Sequence, residues 1–401
     1  MLCYHFLLDQ VTEKFLSSES VGAIKAIRKM ITQLKEHGVV DIFRDYSTKD
    51  IVSSFLALFK LQQAAAYYGE QKRTEGHSVN KKLLQRLAYY SVFANAAYGW
   101  KMEAASNGKL DRGNLRTLVR KTGIKEEDVV AAKWASKTHR PAYFIVRDLK
   151  HRKIVLSIRG TFSARDVLTD LCASAETFET GRRGKHRAHH GMLEAAISLA
   201  TETKETVEKE LHANPGYSLV LVGHSLGGGV AAVLGTLWEK DYPNLQVYGY
   251  GSPCVSPADA RPTTCKNIIS VLGEGDPFAC LSLGHIANLS KALSLLCEDK
   301  DFRSMIMIRT DNTLENMEIQ DLQWCEKTLI KLKVKMKGEL MYPPGRLFFM
   351  KRSLEGSVVS IREVHRSKFS ELKLHPRMLD VSRHVPSLYE SLLQEMCGLD
   401  I

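Results

Sequence analysis

The 401-residue sequence contains no CxxC pair and no dense cysteine framework. Its eight cysteines (Cys3, Cys172, Cys254, Cys265, Cys280, Cys297, Cys325 and Cys397) are irregularly spread. That pattern excludes a disulfide scaffold and a zinc finger, and it reads as free thiols in a reducing compartment. No basic stretch precedes the apolar run Met1–Leu8, and His5 interrupts it, so no secretory signal is expected. The longest stretch without Asp, Glu, Lys or Arg runs from Leu211 to Trp238, but Gly223, Gly227, Gly228 and Gly229 break it. A sharp turn explains those glycines better than a membrane span does, and no transmembrane helix is expected. Fixed-period repeats and low-complexity tracts are also missing, which excludes solenoids and fibres.

What is present is an ordinary globular composition, with 44% hydrophobic and 25% charged residues, enough for a sizeable buried core. The formal charge of +11 asks for an anionic partner. The chain has no RNP-like aromatic motif and no long basic arm, and its cations fall in short groups such as Arg182, Arg183, Lys185 and Arg187. Nucleic acid is therefore not expected as a partner, and an anionic membrane surface is.

Apolar spacing near 3.6 in Ile24, Ile27, Ile31 and Leu34, and again in Ile51, Phe55, Leu58 and Leu61, predicts an N-terminal helical region over residues 1–110. Gln71–Asn80 is polar and reads as a loop before a further helix, Lys81–Tyr98. From about Pro141 the pattern changes. Ala142–Arg147 and Lys153–Ile158 predict a hairpin, and Leu219–Val222, Gln246–Tyr250 and Ile268–Leu272 predict short strands joined by helical connections. Strands alternating with helices define an α/β fold with a mostly parallel central sheet covered on both faces. The expected organisation is residues 1–110 as the helical region and 111–401 as the catalytic domain, with an insertion between Asp276 and His384.

Gly223-His224-Ser225-Leu226-Gly227 fits G-x-S-x-G, with the strand Leu219–Val222 before it and the helix-prone Val230–Trp238 after it. This context exposes a serine hydroxyl on a tight strand-to-helix turn, with helix N-terminal amides behind it to receive an oxyanion. Ser225 is thus the expected nucleophile. A serine needs a base, and the base needs a carboxylate, in the chain order Ser, Asp or Glu, His. Asp276, just beyond Ile268–Leu272, is the expected acid, with Glu274 as rival. His384, ahead of the helix Ser387–Met396, is the expected base, with His365 and His375 as competitors. His224 is read as an elbow residue that points away from the chemistry. Leu226 and Thr161, the latter in the turn Arg159-Gly160-Thr161 after strand Lys153–Ile158, are the expected oxyanion donors.

These residues resemble a known family. Ile158–Thr161, Asp166–Leu171, His190-Gly191, the Gly-His-Ser-Leu-Gly-Gly elbow and Asp276 are similar to the fungal-type class 3 lipases, whose fold is the α/β hydrolase. Ser157–Leu171, Tyr342–Arg346 and His384-Val385-Pro386 look like sn-1-specific diacylglycerol lipases. The resemblance implies Ser225, Asp276 and His384 as a triad, Thr161 and Leu226 as the oxyanion hole, Asp170 as the carboxylate that holds the Thr161 hydroxyl, and Ser163–Leu171 as a helical lid. It implies a glycerolipid ester as substrate, the sn-1 ester of diacylglycerol first, with phospholipase A1, mono- or triacylglycerol lipase activity or a silent membrane-binding scaffold as alternatives. Neither a cofactor nor a metal is implied, and the expected location is cytoplasmic with peripheral membrane association. The lid candidate, with Phe162, Val167 and Leu168, and the helix Ile286–Leu296 are the expected inserting elements. Finally, Lys331, Lys333, Lys335 and Lys337 alternate with Leu332, Val334 and Met336. A period of two predicts a strand with one lysine face, either a blunted sheet edge or an anionic-lipid contact.

Overall fold

A computed structural model describes residues 42–71, 79–99, 110–161, 175–179, 185–257, 267–276, 278–352, 359–374 and 381–398. After a short helical turn at Ile42–Asp45, the elements run α1 (Thr48–Gln71), α2 (Lys81–Ala96), α3 (Leu110–Thr122), β1 (Val129–Lys133), β2 (Tyr143–Asp148) and β3 (Lys153–Ile158). They continue β4 (Ala175–Glu179), β5 (Lys185–His189), α4 (His190–Ala213), β6 (Ser218–His224), α5 (Leu226–Trp238), β7 (Gln246–Tyr250), β8 (Ser256–Pro257) and β9 (Ile268–Gly273). The remainder is α6 (Leu283–Glu298), α7 (Lys300–Arg309), α8 (Ile319–Val334), β10 (Met341–Tyr342), β11 (Arg346–Arg352), β12 (Val359–Val364) and α9 (Pro386–Met396).

Eight strands form the central sheet in the order β1-β2-β3-β6-β7-β9-β11-β12. Strands β3, β6, β7, β9 and β11 are mutually parallel, and antiparallel β1, β2 and β12 close the two sides. The pleat sorts side chains between two cores. In β6, Leu219 and Leu221 face α4 and α5, while Val220 and Val222 face α2 and α9. Both sets are buried, so these central strands read as continuous apolar runs, as a doubly covered parallel sheet demands. This is the α/β-hydrolase architecture, and its parallel strands all end at the edge that carries β6's turn into α5.

Helix ends follow local chemistry. The Asn80 side chain accepts the Leu83 N–H at 2.9 Å and caps α2. Pro386 opens α9, where its missing N–H costs no helical bond. Helix α1 joins a third core that is not in the sheet layers: Leu58 and Leu61 pack with Leu293 and Leu296 of α6 and Leu322 and Leu329 of α8. Helix α1 and the helices α6 and α8, which lie between Asp276 and His384 in sequence, thus bury one another. The expected helix around Ile24–Leu34 lies outside the described residues.

The expected lysine strand is corrected. Residues 319–334 are helix α8, and Lys335 is its C-cap. Leu322, Cys325, Leu329 and Leu332 are buried at helical spacing, so the 3.6 period set upstream carries through the short alternation. Ile330 and Val334, which a strand would bury, are exposed.

Buried His285 of α6 links the layers. Its Nδ1 accepts the Ser282 hydroxyl at 2.7 Å, and its Nε2–H donates to the Phe369 carbonyl at 2.9 Å. Acceptance at Nδ1 needs the neutral ring, and burial pushes the pKa down to about 4 although the bond to the Phe369 carbonyl opposes the shift. The unfolded chain binds this proton near pH 6.5, so the group's contribution is present above that pH and is lost as pH falls toward 4. Denaturation midpoints should therefore decline on acidification through this window, by up to about 1.4 kcal/mol per pH unit for such a group. His285→Gln should be less stable at neutral pH but show a shallower decline, as measured by urea unfolding across the pH range.

Candidate active site

The site grows from the β6–α5 turn. Ser225 sits at φ 57°, ψ −133°, a left-handed conformation that L-residues avoid. Its N–H donates to the Tyr250 carbonyl at 2.8 Å, and its own carbonyl accepts the Gly228 and Gly229 N–H groups. Only glycine fits around this turn: a Cβ on Gly223 would lie 2.3 Å from the Gly227 carbonyl carbon, and one on Gly227 would lie 2.2 Å from the Ile158 carbonyl oxygen. The strain is thereby held, and the hydroxyl is fixed in one direction.

His384 Nε2 lies 2.7 Å from Ser225 Oγ, and His384 Nδ1 lies 2.7 Å from Asp276 Oδ2. A carboxylate oxygen can only accept, so Nδ1 carries the proton and Nε2 receives the serine hydroxyl. All three residues are buried, Ser225 to 1% exposure. Asp276 is anchored twice more, by the Phe278 N–H on Oδ1 at 2.8 Å and by the Tyr389 hydroxyl on Oδ2 at 2.5 Å. Tyr389 Oη in turn accepts the Gly273 N–H at 3.0 Å. Burial, reinforced by Asp276, pushes the Tyr389 phenol well above its ordinary range, so it stays a donor. The Phe278 ring packs edge-on against His384 at 4.4 Å.

The rival residues lie elsewhere. Glu274 Oε1 is directed to Lys351 at 3.9 Å. His365 is exposed and caps a short turn through the Ser367 N–H, while His375 lies outside the described residues. Leu226 opens α5, so its N–H has no i−4 acceptor within the helix. Thr161 directly follows Gly160, where an added Cβ would lie 3.0 Å from Ser225 Cβ. Both oxyanion candidates therefore flank the serine. Asp170 and the lid candidate Ser163–Leu171 fall outside the described residues.

One expectation needs correction. His224 does not point away from the site: its ring stands 4.7 Å from the His384 ring, and its Nδ1 accepts from Tyr98 Oη at 2.8 Å. Burial and the neighbouring His384 push the His224 pKa well below the ordinary value, so it adds no positive charge beside the base. Tyr98 and Tyr389 were missed in sequence because each sits in or beside an amphipathic helix, where an aromatic reads as core.

Among the described residues, Glu176, His190 and Glu194 bring potential metal-ligand atoms within 4.8 Å of one another. Glu176 and His190 are exposed and hydrogen-bond each other, which accounts for their closeness. A cavity of about 90 Å³ between α5 and the Tyr342–Gly345 segment includes none of Ser225, Asp276 and His384 in its lining.

Fold and site together define a serine hydrolase arrangement of the α/β-hydrolase kind. Residues 155–282, the stretch that runs from β3 through Ser225 to Asp276, match the family model described as lipase (class 3). It is 26% identical to mouse diacylglycerol lipase-beta over 262 residues, covering 55% of this chain and 39% of that protein. Rat diacylglycerol lipase-alpha is 28% identical over 211 residues, 42% of this chain and 20% of that protein. Secreted mono- and diacylglycerol lipase 1 of Fusarium solani is 30% identical over 179 residues, 44% of this chain and 52% of that protein. The chain thus spans well under two thirds of the length of these relatives.

Tyr389→Phe should leave the fold intact while removing one of the three donors to Asp276. The rate at which a fluorophosphonate labels Ser225 should fall about tenfold, the equivalent of ~1.4 kcal/mol. Unchanged labelling by mass spectrometry would show that the phenol does not support the histidine.

Proposed function

We propose that the chain is a serine lipase that hydrolyses a glycerolipid ester through an acyl-enzyme, with the sn-1 ester of diacylglycerol as its substrate. The observation that carries this reading is the continuous line from Ser225 Oγ through His384 to Asp276 on a strained turn. Ser225 Oγ attacks the ester carbonyl carbon as its proton passes to His384 Nε2. Asp276 holds the imidazolium that forms, and the Leu226 and Thr161 amides receive the oxyanion. Collapse of the tetrahedral species breaks the ester bond, and the departing 2-monoacylglycerol oxygen takes the proton from His384. Water then repeats the sequence on the acyl-enzyme and releases a fatty acid.

The names of the relatives, diacylglycerol lipases and a mono- and diacylglycerol lipase, support a glycerolipid substrate. Burial of Ser225 means that access by an acyl chain requires the protein to open. The lid candidate Ser163–Leu171, with Asp170 holding the Thr161 hydroxyl, belongs to the same proposal. No helix among the described residues is long and apolar enough to cross a membrane. The proposed mode of work is peripheral, at an anionic membrane surface on the cytoplasmic side, which the formal charge of +11 favours.

Ser225→Ala should abolish both fluorophosphonate labelling and ester hydrolysis, and His384→Ala should lower kcat by about 10⁴-fold. Thr161→Gly keeps the amide but loses the hydroxyl, so kcat should fall by ~10² with little change in KM. The products from mixed glycerolipids, with positional isomers resolved, decide the substrate. Release from the sn-1 position of diacylglycerol is expected. Preferential cleavage of phospholipid, monoacylglycerol or triacylglycerol would replace the substrate, and an inert wild-type protein would make it a binding scaffold.

A further inference from the structure

The helix expected to insert into a membrane is not free to do so. In α6, Ile286, Ala292, Leu293 and Leu296 are all buried in the protein's own cores. The exposed apolar residues lie instead on the helices that pack around it. Ile330 and Val334 of α8 are 56% and 75% exposed, and Ile308 of α7 is 76% exposed. Val52 and Leu56 of α1, which packs directly on α8, are also exposed. A soluble face rarely shows several large aliphatic side chains so fully.

Charge surrounds the α8 part of this set. Residues 327–337 contain five lysines and no acidic residue. Lys333 pairs with Glu371 at 3.1 Å, but Lys327, Lys331, Lys335 and Lys337 make no hydrogen bond or ion pair among the described residues. On a helix, Lys327, Ile330, Lys331 and Val334 follow one another at three- and four-residue spacing, so they share one face. Lysines near a helix C-terminus are stabilised by its dipole, which explains their sign. It does not explain aliphatic side chains exposed between them. An apolar stripe flanked by unpaired lysines is the chemistry of a helix that lies at an anionic bilayer interface.

We infer that the C-terminal half of α8, through Lys327, Ile330, Lys331, Val334, Lys335 and Lys337, is the surface by which the protein docks on anionic lipid. The choice of a bilayer as partner rests on the lipase reading above. The chain's own residues 1–41 suit this face less well, since they hold five basic and five acidic residues and offer it no net negative charge. Because α8 and α6 share a core inside the Asp276–His384 insertion, docking here brings the membrane to the layer that connects the acid to the base.

The test uses the full chain and vesicles of phosphatidylcholine with or without phosphatidylserine, at low and high salt. Wild type should sediment with phosphatidylserine vesicles at low salt and be released at high salt. The combined Lys327→Gln, Lys331→Gln, Lys335→Gln and Lys337→Gln variant should lose about tenfold or more of that binding. Ile330→Ser with Val334→Ser should weaken it at low salt although every lysine is kept. Hydrolysis of a soluble short-chain ester should be unchanged in both variants, and Ser225→Ala should bind vesicles like wild type. These last readouts separate loss of docking from failure of the lipase assignment. Wild-type vesicle binding in both surface variants overturns the inference. So does a drop in thermal stability with binding unchanged, which would show that the face is covered within the chain. A dimer that the Ile330/Val334 variant converts to monomer, again with binding unchanged, would assign the face to self-association.

Discussion

The contact on which the site depends is backbone against backbone, where Gly223 and Gly227 meet each other and the end of β3. With no Cβ on either glycine, α5 starts hard against β6, and the Ile158 carbonyl lies where a Gly227 Cβ would be. Ser225 is forced into its left-handed conformation at a cost of roughly 1–3 kcal/mol. The bond from Ser225 N–H to Tyr250 and those from Gly228 and Gly229 to the Ser225 carbonyl offset that cost. The same contact brings the Gly160-Thr161 turn beside the serine. The proposed nucleophile and both proposed oxyanion amides therefore follow from one close approach.

The elbow was legible in sequence because its constraint is local: an apolar strand, three small residues around a serine, and a helix within a dozen positions. The parallel strands were legible for a related reason, since burial on both faces leaves short β-branched runs such as Leu219–Val222. Longer-range features were not. The Lys331–Lys337 alternation has a strand's period over seven residues, yet the buried positions Leu322, Cys325 and Leu329 upstream set a helix. Tyr389 lies five residues beyond His384 and looks like any core aromatic of α9. Its bond to Asp276 appears only when α9 folds back across the carboxyl edge of β9.

The electrostatics of the interior differ from the outside. Burial holds Tyr98 and Tyr389 in their protonated forms and His224 in its neutral form, all within the shell around His384. In the proposed reaction the Asp276–His384 pair has no charged histidine or tyrosine beside it and lies in a medium of low polarisability, where an ion pair formed on proton transfer is worth more than in water. Apart from buried Arg159, much of the chain's positive charge lies on surfaces such as the end of α8, where solvent screens it from the site.

The helical layer is also part of how the base is positioned. Gln62 of α1, almost fully buried, accepts the Leu374 N–H at 2.8 Å and donates to the Leu372 carbonyl at 3.2 Å. His285 of α6 holds the Phe369 carbonyl a few residues earlier. Two helices of the third core thus grip the segment that leads toward His384, while β9 fixes Asp276 from the sheet. The hydrogen bond between acid and base spans 108 residues of chain. The packing of Leu58 and Leu61 on α6 and α8 holds these helices beside the segment before His384, so it supports the site as well as the fold.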